Sequence, residues 1–342
     1  MSSILKWRTP LHLIHVGLAF AAVLLPAKKT AGADAAPQAY ANPVVEKDWP
    51  DPGVITLNDA TGSRVFYLVS TGGSFPIRRS TNLITWEETG AFAMPERMAP
   101  WAPDGSRNWA PELHQIGDKI VLYYTSSDHR RDAQRPDPLA IGAAWADDIL
   151  GPYHHLEEPI VPAGTHGTID ATYFRDGDRH WLYWKTDGNC CGLPTDIIAR
   201  ELAPDGLSFL EDSEPQTILT PDLDWEHNLI EGPWLLKRGE WVYMFYSAGS
   251  YVTNYRNGVA RSRSPLGPFE KLPEPWLRGS DDVRAPGHGS FLNLDGTTVF
   301  VHHGRSPGIP HARYLFVTPI EWRDGWPFVY GGITPLETVR TW

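Results

Sequence analysis

A rhythm of short apolar runs constrains the fold of this chain more than any other feature. Runs 65–69, 120–124, 180–184, 241–246 and 298–301 are rich in β-branched and aromatic residues, and each reads as a strand. A turn signal precedes each of them: Gly62-Ser63, Gly117-Asp118, Asp176-Gly177-Asp178, Arg238-Gly239 and Asp295-Gly296. The spacing of about 60 residues marks a repeated supersecondary unit of hairpins rather than a parallel sheet with helical crossovers, and roughly five units fit the chain. The stretches 80–86, 147–153 and 262–269 recur as the outer parts of such units. Composition agrees: 15 Trp, 13 Tyr, 31 Gly and 31 Pro with 21% charged residues suit many short strands and tight turns, not long amphipathic helices. Radial repetition of four-stranded blades gives a β-propeller with a central axial depression. A two-sheet sandwich also shows regular strands, and the rhythm alone does not separate the two.

The N-terminus reads as an export signal over residues 1–33. Lys6 and Arg8 precede an apolar run over 11–25, and Ala31-Gly32-Ala33 offers small residues for cleavage. The run is interrupted by His12 and His15 and falls short of the roughly 20 apolar residues a membrane span needs. Secretion is therefore expected, with no membrane association after cleavage, an Ala/Pro-rich lead-in over 34–48 and a single domain over 49–342. The net charge of −11 argues against nucleic acid and anionic membranes, both of which need a basic patch, and is indifferent to a neutral polymer. The only two cysteines, Cys190 and Cys191, are adjacent. A bond between them would close a small strained ring and staple nothing distant, so the fold must rest on its core whether they are bonded or remain thiols. A monomer is the default.

Three acids stand just ahead of the apolar runs: Asp51 in Trp49-Pro50-Asp51-Pro52-Gly53, Asp170 in Thr168-Ile169-Asp170-Ala171, and Glu231 in Leu229-Ile230-Glu231-Gly232-Pro233-Trp234. At the start of inner strands such acids would point into the axial depression, partly desolvated and close to one another. That separates their proton affinities, as paired acid and base work requires. An Asp before Pro is on its own usually a turn or cap. Trp109 and Trp101 offer flat faces for stacking on sugar rings, whereas Glu112 and His114 suit structural hydrogen bonds between blades.

These motifs, taken in order, resemble the family 43 glycoside hydrolases. The likeness runs from about Asn42 to Pro327 and adds Trp109-Ala110-Pro111-Glu112-Leu113-His114, Leu266-Gly267-Pro268-Phe269, Pro286-Gly287-His288 and Asp324-Gly325-Trp326-Pro327. It implies an all-β, five-bladed β-propeller and an inverting hydrolase with Asp51 as general base, Glu231 as general acid and Asp170 as the residue that orients and tunes the acid. In that chemistry the two carboxylates stand roughly 6.5–9.5 Å apart to admit a water, and no cofactor is required. The resemblance also implies His288 near the propeller axis, beside a calcium or sodium ion held through water in some members, and Arg313 against a sugar hydroxyl and a catalytic carboxylate. The expected substrate is a plant pentose polysaccharide or oligosaccharide, attacked by an exo-acting α-L-arabinofuranosidase. Endo-1,5-α-L-arabinanase and β-xylosidase are alternatives, and the lack of a C-terminal sandwich domain after the last blade tilts away from the latter. A retaining fructan hydrolase or a non-catalytic carbohydrate-binding propeller are readings of other kinds. Loops 125–140 and 248–257, with Arg130, Arg131, Asn254 and Tyr255, are expected at the rim.

Overall fold

Each turn signal reverses the chain as expected. In a computed structural model, which describes residues 39–103, 105–128, 139–307, 311–329 and 339–340, Gly117 takes φ 61 between strands Trp109–Ile116 and Lys119–Ser127, a left-handed turn that glycine adopts without cost. The expected export signal and loop residues Arg130 and Arg131 lie outside the described residues.

Five antiparallel sheets follow in chain order, each built from consecutive strands. The first blade runs Gly53–Asn58, Arg64–Val69, Pro76–Ser80 and Glu87–Phe92, and the second Trp109–Ile116, Lys119–Ser127, Leu139–Ala146 and His154–His155. The third is Thr168–Asp176, Arg179–Thr186, Ile197–Leu202 and Gln216–Leu219. The fourth is Ile230–Arg238, Trp241–Ala248, Arg256–Ser262 and Glu270–Lys271, with Leu277–Arg278 also pairing its third strand; the fifth is Arg284–Leu294, Thr297–Arg305, Tyr314–Arg323 and Trp326–Val329. The first strands touch one another in order, and the fifth blade's returns to the first blade's. The ring closes, so the fold is a five-bladed β-propeller and the sandwich is excluded. The Ser290 hydroxyl helps close it, accepting from Val54 N–H at 2.8 Å and donating to the Pro52 carbonyl at 3.1 Å.

The apolar runs that set the rhythm are the second strands, flanked on both faces by neighbouring blades. Leu122, Tyr123 and Tyr124 are fully buried in succession, which is why these strands read as continuous apolar runs rather than alternating patterns. The core is accordingly a ring of interfaces. One cluster joins Ile55 and Val69 to Leu113 and Leu122, another Tyr123 to Leu182, a third Tyr183 to Met244, a fourth Phe245 to Phe291, and a fifth Val301 to Phe66. Ahead of the first blade, residues 40–49 lie along the fifth: the Tyr40 hydroxyl donates to the Val317 carbonyl at 2.8 Å, and Asn42 both donates to and accepts from the Val317 backbone at 2.9 Å. Among the described residues no helix is long and apolar enough to cross a membrane.

Candidate active site

The ends of the first strands that meet at the axis are irregular in a repeated way. β-bulges interrupt their pairing between Trp109 and Glu112, Ile169 and Thr172, Glu231 and Trp234, and Gly287 and Gly289. In or beside these bulges Ala110, Asp170, Gly232 and His288 take left-handed φ of 41, 57, 55 and 42°, and Asp51 does so at 50° just ahead of the first blade. Non-glycine residues hold this conformation at a cost of about 1–3 kcal/mol, so the surrounding structure must over-determine it. A bulge bends the strand and re-aims its side chain. Here the repeated bulges aim one residue per blade at a common hollow.

That hollow has a volume of about 390 Å³ and receives residues from all five blades. Asp51, Trp109, Asp170, Glu231, His288 and Arg313 all line it, so all six site residues expected from sequence come together. Trp101 does not join them; it is fully buried and stacked on Tyr124 at 6.1 Å between centroids, a packing residue. Asn254 turns inward to accept from Ser250 N–H at 2.8 Å, shaping its own loop. Tyr255, expected at the rim, is buried and lines the pocket.

Asp51 is the most heavily partnered of the three acids in the pocket. Arg313 Nη1 lies 2.9 Å from its Oδ1, the Thr71 hydroxyl donates to Oδ2 at 2.7 Å, and His288 and His303 hold Nδ1 at 3.4 and 3.2 Å from Oδ1. Thr71 accepts in turn from Ala110 N–H at 2.7 Å, tying the first blade to the second. Burial alone would raise the Asp51 carboxyl, but Arg313, His288 and His303 outweigh it and hold the group well below its ordinary 3.8. Burial pushes the His303 imidazole down to about 4, so it is neutral near pH 7. His288, caged by Asp170, Asp51, Glu231 and Glu112, is raised despite its burial.

Asp170 behaves oppositely. Its Oδ2 accepts from Gly232 N–H at 3.0 Å, and burial, reinforced by the charges of Glu231 and Asp51, pushes it up to about 6 against the pull of His288 and Lys185. Burial also opposes charge on Glu231, yet Lys185 Nζ at 2.9 Å and the Tyr255 hydroxyl at 2.7 Å both donate to it and lower it. A proton therefore sits more readily on Asp170 than on Glu231.

His288 Nδ1 lies 3.4 Å from Asp51 Oδ1, and the carboxylates around the ring raise its proton affinity. Among the described residues no group of three or more His, Cys, Asp or Glu side chains is arranged to hold a metal.

The chain matches glycosyl hydrolases family 43 over residues 40–327. It belongs to that family. This family 43 glycoside hydrolase is 34% identical over 244 residues to the β-D-galactofuranosidase xynD of Aspergillus niger, covering 69% of its own length and 65% of that protein. It is 27% identical over 305 residues to an extracellular exo-α-(1→5)-L-arabinofuranosidase of Streptomyces chartreusis, covering 84% of its own length and 89% of the relative. Among solved structures, a thermostable family-43 glycoside hydrolase superposes with a TM-score of 0.74 at 27% identity, covering 87% of this chain and 97% of that one. A Cellvibrio cellulosa α-L-arabinanase complexed with arabinohexaose shares the fold at a TM-score of 0.67, with 20% identity over 83% of this chain and 95% of that one.

Sequence reasoning missed several pocket residues: Thr71, Lys185, Tyr251 and the neighbouring His303. A signal for three of them existed. The apolar second strands lead into buried polar residues at the axial end, among them Ser70 before Thr71, Ser126, Lys185, Ser247 and the pair His302 and His303. A lysine closing the run His180-Trp181-Leu182-Tyr183-Trp184 in particular needs a buried carboxylate to satisfy it.

Proposed function

We propose that this hydrolase is an exo-acting, inverting α-L-arabinofuranosidase. What supports the reading is the convergence of Asp51, Asp170 and Glu231 from three blades on one hollow, each with a different proton affinity and cause. Asp51, kept ionised by Arg313, takes a proton from a water whose oxygen attacks the anomeric carbon. As the glycosidic bond breaks, the departing oxygen takes a proton from Glu231 and leaves with it; Asp170 orients and tunes that acid, and before the next turnover Asp51 gives its proton to solvent and Glu231 takes one up. These side chains supply both proton transfers, so the reaction needs no cofactor; dialysis against a chelator should leave kcat unchanged. A calcium or sodium ion held through water near His288 would then affect stability alone.

A hollow lined from every blade suits one terminal sugar better than the middle of a chain, which favours exo action over an arabinanase. The galactofuranosidase relative supports a second substrate, β-D-galactofuranoside. That sugar shares the ring configuration of α-L-arabinofuranose and differs in a longer exocyclic arm, so one pocket chemistry serves both. Relatives named as extracellular enzymes support export. The test is release of monosaccharide from aryl α-L-arabinofuranoside, aryl β-D-galactofuranoside, aryl β-D-xyloside, linear arabinan and arabinoxylan, with Glu231→Ala as control. Monomer from a furanoside, lost in the variant, is expected; an oligomer ladder points instead to endo action, and equal behaviour of wild type and variant to a binding protein.

A further inference from the structure

The last residue but one of the third blade's second strand is a lysine whose side chain is 1% exposed, and its two carboxylate contacts explain how a cation survives there. Lys185 Nζ is 2.9 Å from Glu231 Oε2 and 3.4 Å from Asp187 Oδ1, and both carboxylates line the same pocket. We propose that Lys185 is a positioning residue that contacts both Glu231 and Asp187 and gives up Glu231 for Asp187 when a glycosidic oxygen arrives beside Glu231. The inference rests on the acid role proposed for Glu231.

The argument is one of competition for a single ammonium. A general acid must carry a proton, yet Glu231 receives donors on both oxygens, from Lys185 on Oε2 and Tyr255 on Oε1. A sugar oxygen bound against Glu231 needs a proton where Lys185 now stands. Transfer of the ammonium to Asp187 keeps it paired at a similar distance, so a buried cation is never stranded. Glu231 is then free to accept the proton that Asp170, across the same pocket, holds more readily. The other charged or titratable groups facing this exchange are His288 and Tyr255 beside Glu231, with Asp51 and Glu112 acting through Asp170 and His288.

The experiment measures kcat/KM against pH for wild type, Lys185→Met and Asp187→Asn. The probes are methyl α-L-arabinofuranoside, whose leaving group needs a proton, and its 4-nitrophenyl counterpart, whose leaving group does not. Removing the ammonium should raise the proton affinity of Glu231 and move the alkaline limb for the methyl glycoside up by about one pH unit or more. Asp187→Asn removes the competing partner and should move the same limb down, with smaller shifts for the nitrophenyl glycoside in both variants. A limb that stays fixed while both variants lose the same factor at every pH overturns the inference and leaves the hydrolase intact. If Lys185→Met fails to fold, the sign of the Asp187→Asn shift decides alone. A wild type that cleaves neither furanoside overturns the furanosidase reading, and this inference with it.

Discussion

Arg313 Nη1 lies 2.9 Å from Oδ1 and 3.2 Å from Oδ2 of Asp51, joining residues 262 positions apart across the seam between the first and last blades. Arg313 is the largest of the charges holding the Asp51 carboxyl down against its burial. Arg313→Met therefore raises the proton affinity of Asp51, the proposed base, which is then lost to protonation at higher pH. The acidic limb of kcat/KM should move up by about one unit or more. A pH–rate profile checks this, and an unmoved acidic limb would separate Arg313 from the base.

Asp170 makes the opposite prediction for stability. Its folded-state affinity is raised from 3.8 to about 6, so its contribution to stability is present below pH 3.8 and is lost as pH rises through about 6. Asp170→Asn removes that penalty while its amide oxygen still accepts from Gly232 N–H. The variant should be more stable than wild type at pH 8 by on the order of 2 kcal/mol, with the gap vanishing by pH 4. Urea denaturation at both values measures it, and activity should fall sharply in the same protein.

Gly232 is confined from two directions. It sits at φ 55, and a Cβ there would stand 3.0 Å from Cγ of His288. Gly232→Ala should cost about 1–2 kcal/mol from the backbone alone. It should also lower kcat/KM by pushing His288 against Asp51; thermal melts and steady-state kinetics report the two effects separately.

Tyr251 is 47% exposed at the pocket mouth with the Arg313 guanidinium 5.1 Å from its ring centroid. An exposed aromatic face held by a cation suits a sugar beyond the cleaved bond. Tyr251→Ala should raise KM for arabino-oligosaccharides by about 3- to 10-fold with kcat little changed. Equal losses for oligosaccharides and small aryl glycosides would contradict that placement.

The propeller was legible because strands packed on both faces produce uninterrupted apolar runs, which five glycine-containing turns punctuate. The acids were legible because each interrupts an apolar context at the same point of its unit. Their partners Thr71, Lys185 and His303 are marked only as polar residues following the apolar runs; which acid each one meets is set by ring closure, which no local pattern encodes. Trp101 illustrates the converse: a tryptophan beside a motif reads as a platform, yet Tyr124 covers its face. Tyr255 is expected at the rim from its place in loop 248–257, whereas stacking on His303 at 5.8 Å with rings 4° from parallel draws it inward.

The account turns on a water activated by Asp51 attacking opposite the bond that Glu231 protonates. Proton NMR of the sugar first released from 4-nitrophenyl α-L-arabinofuranoside, recorded before mutarotation, tests this directly. β-Arabinose as the initial product is predicted. α-Arabinose would mean that a carboxylate attacks the anomeric carbon itself, contradicting the roles argued for both residues.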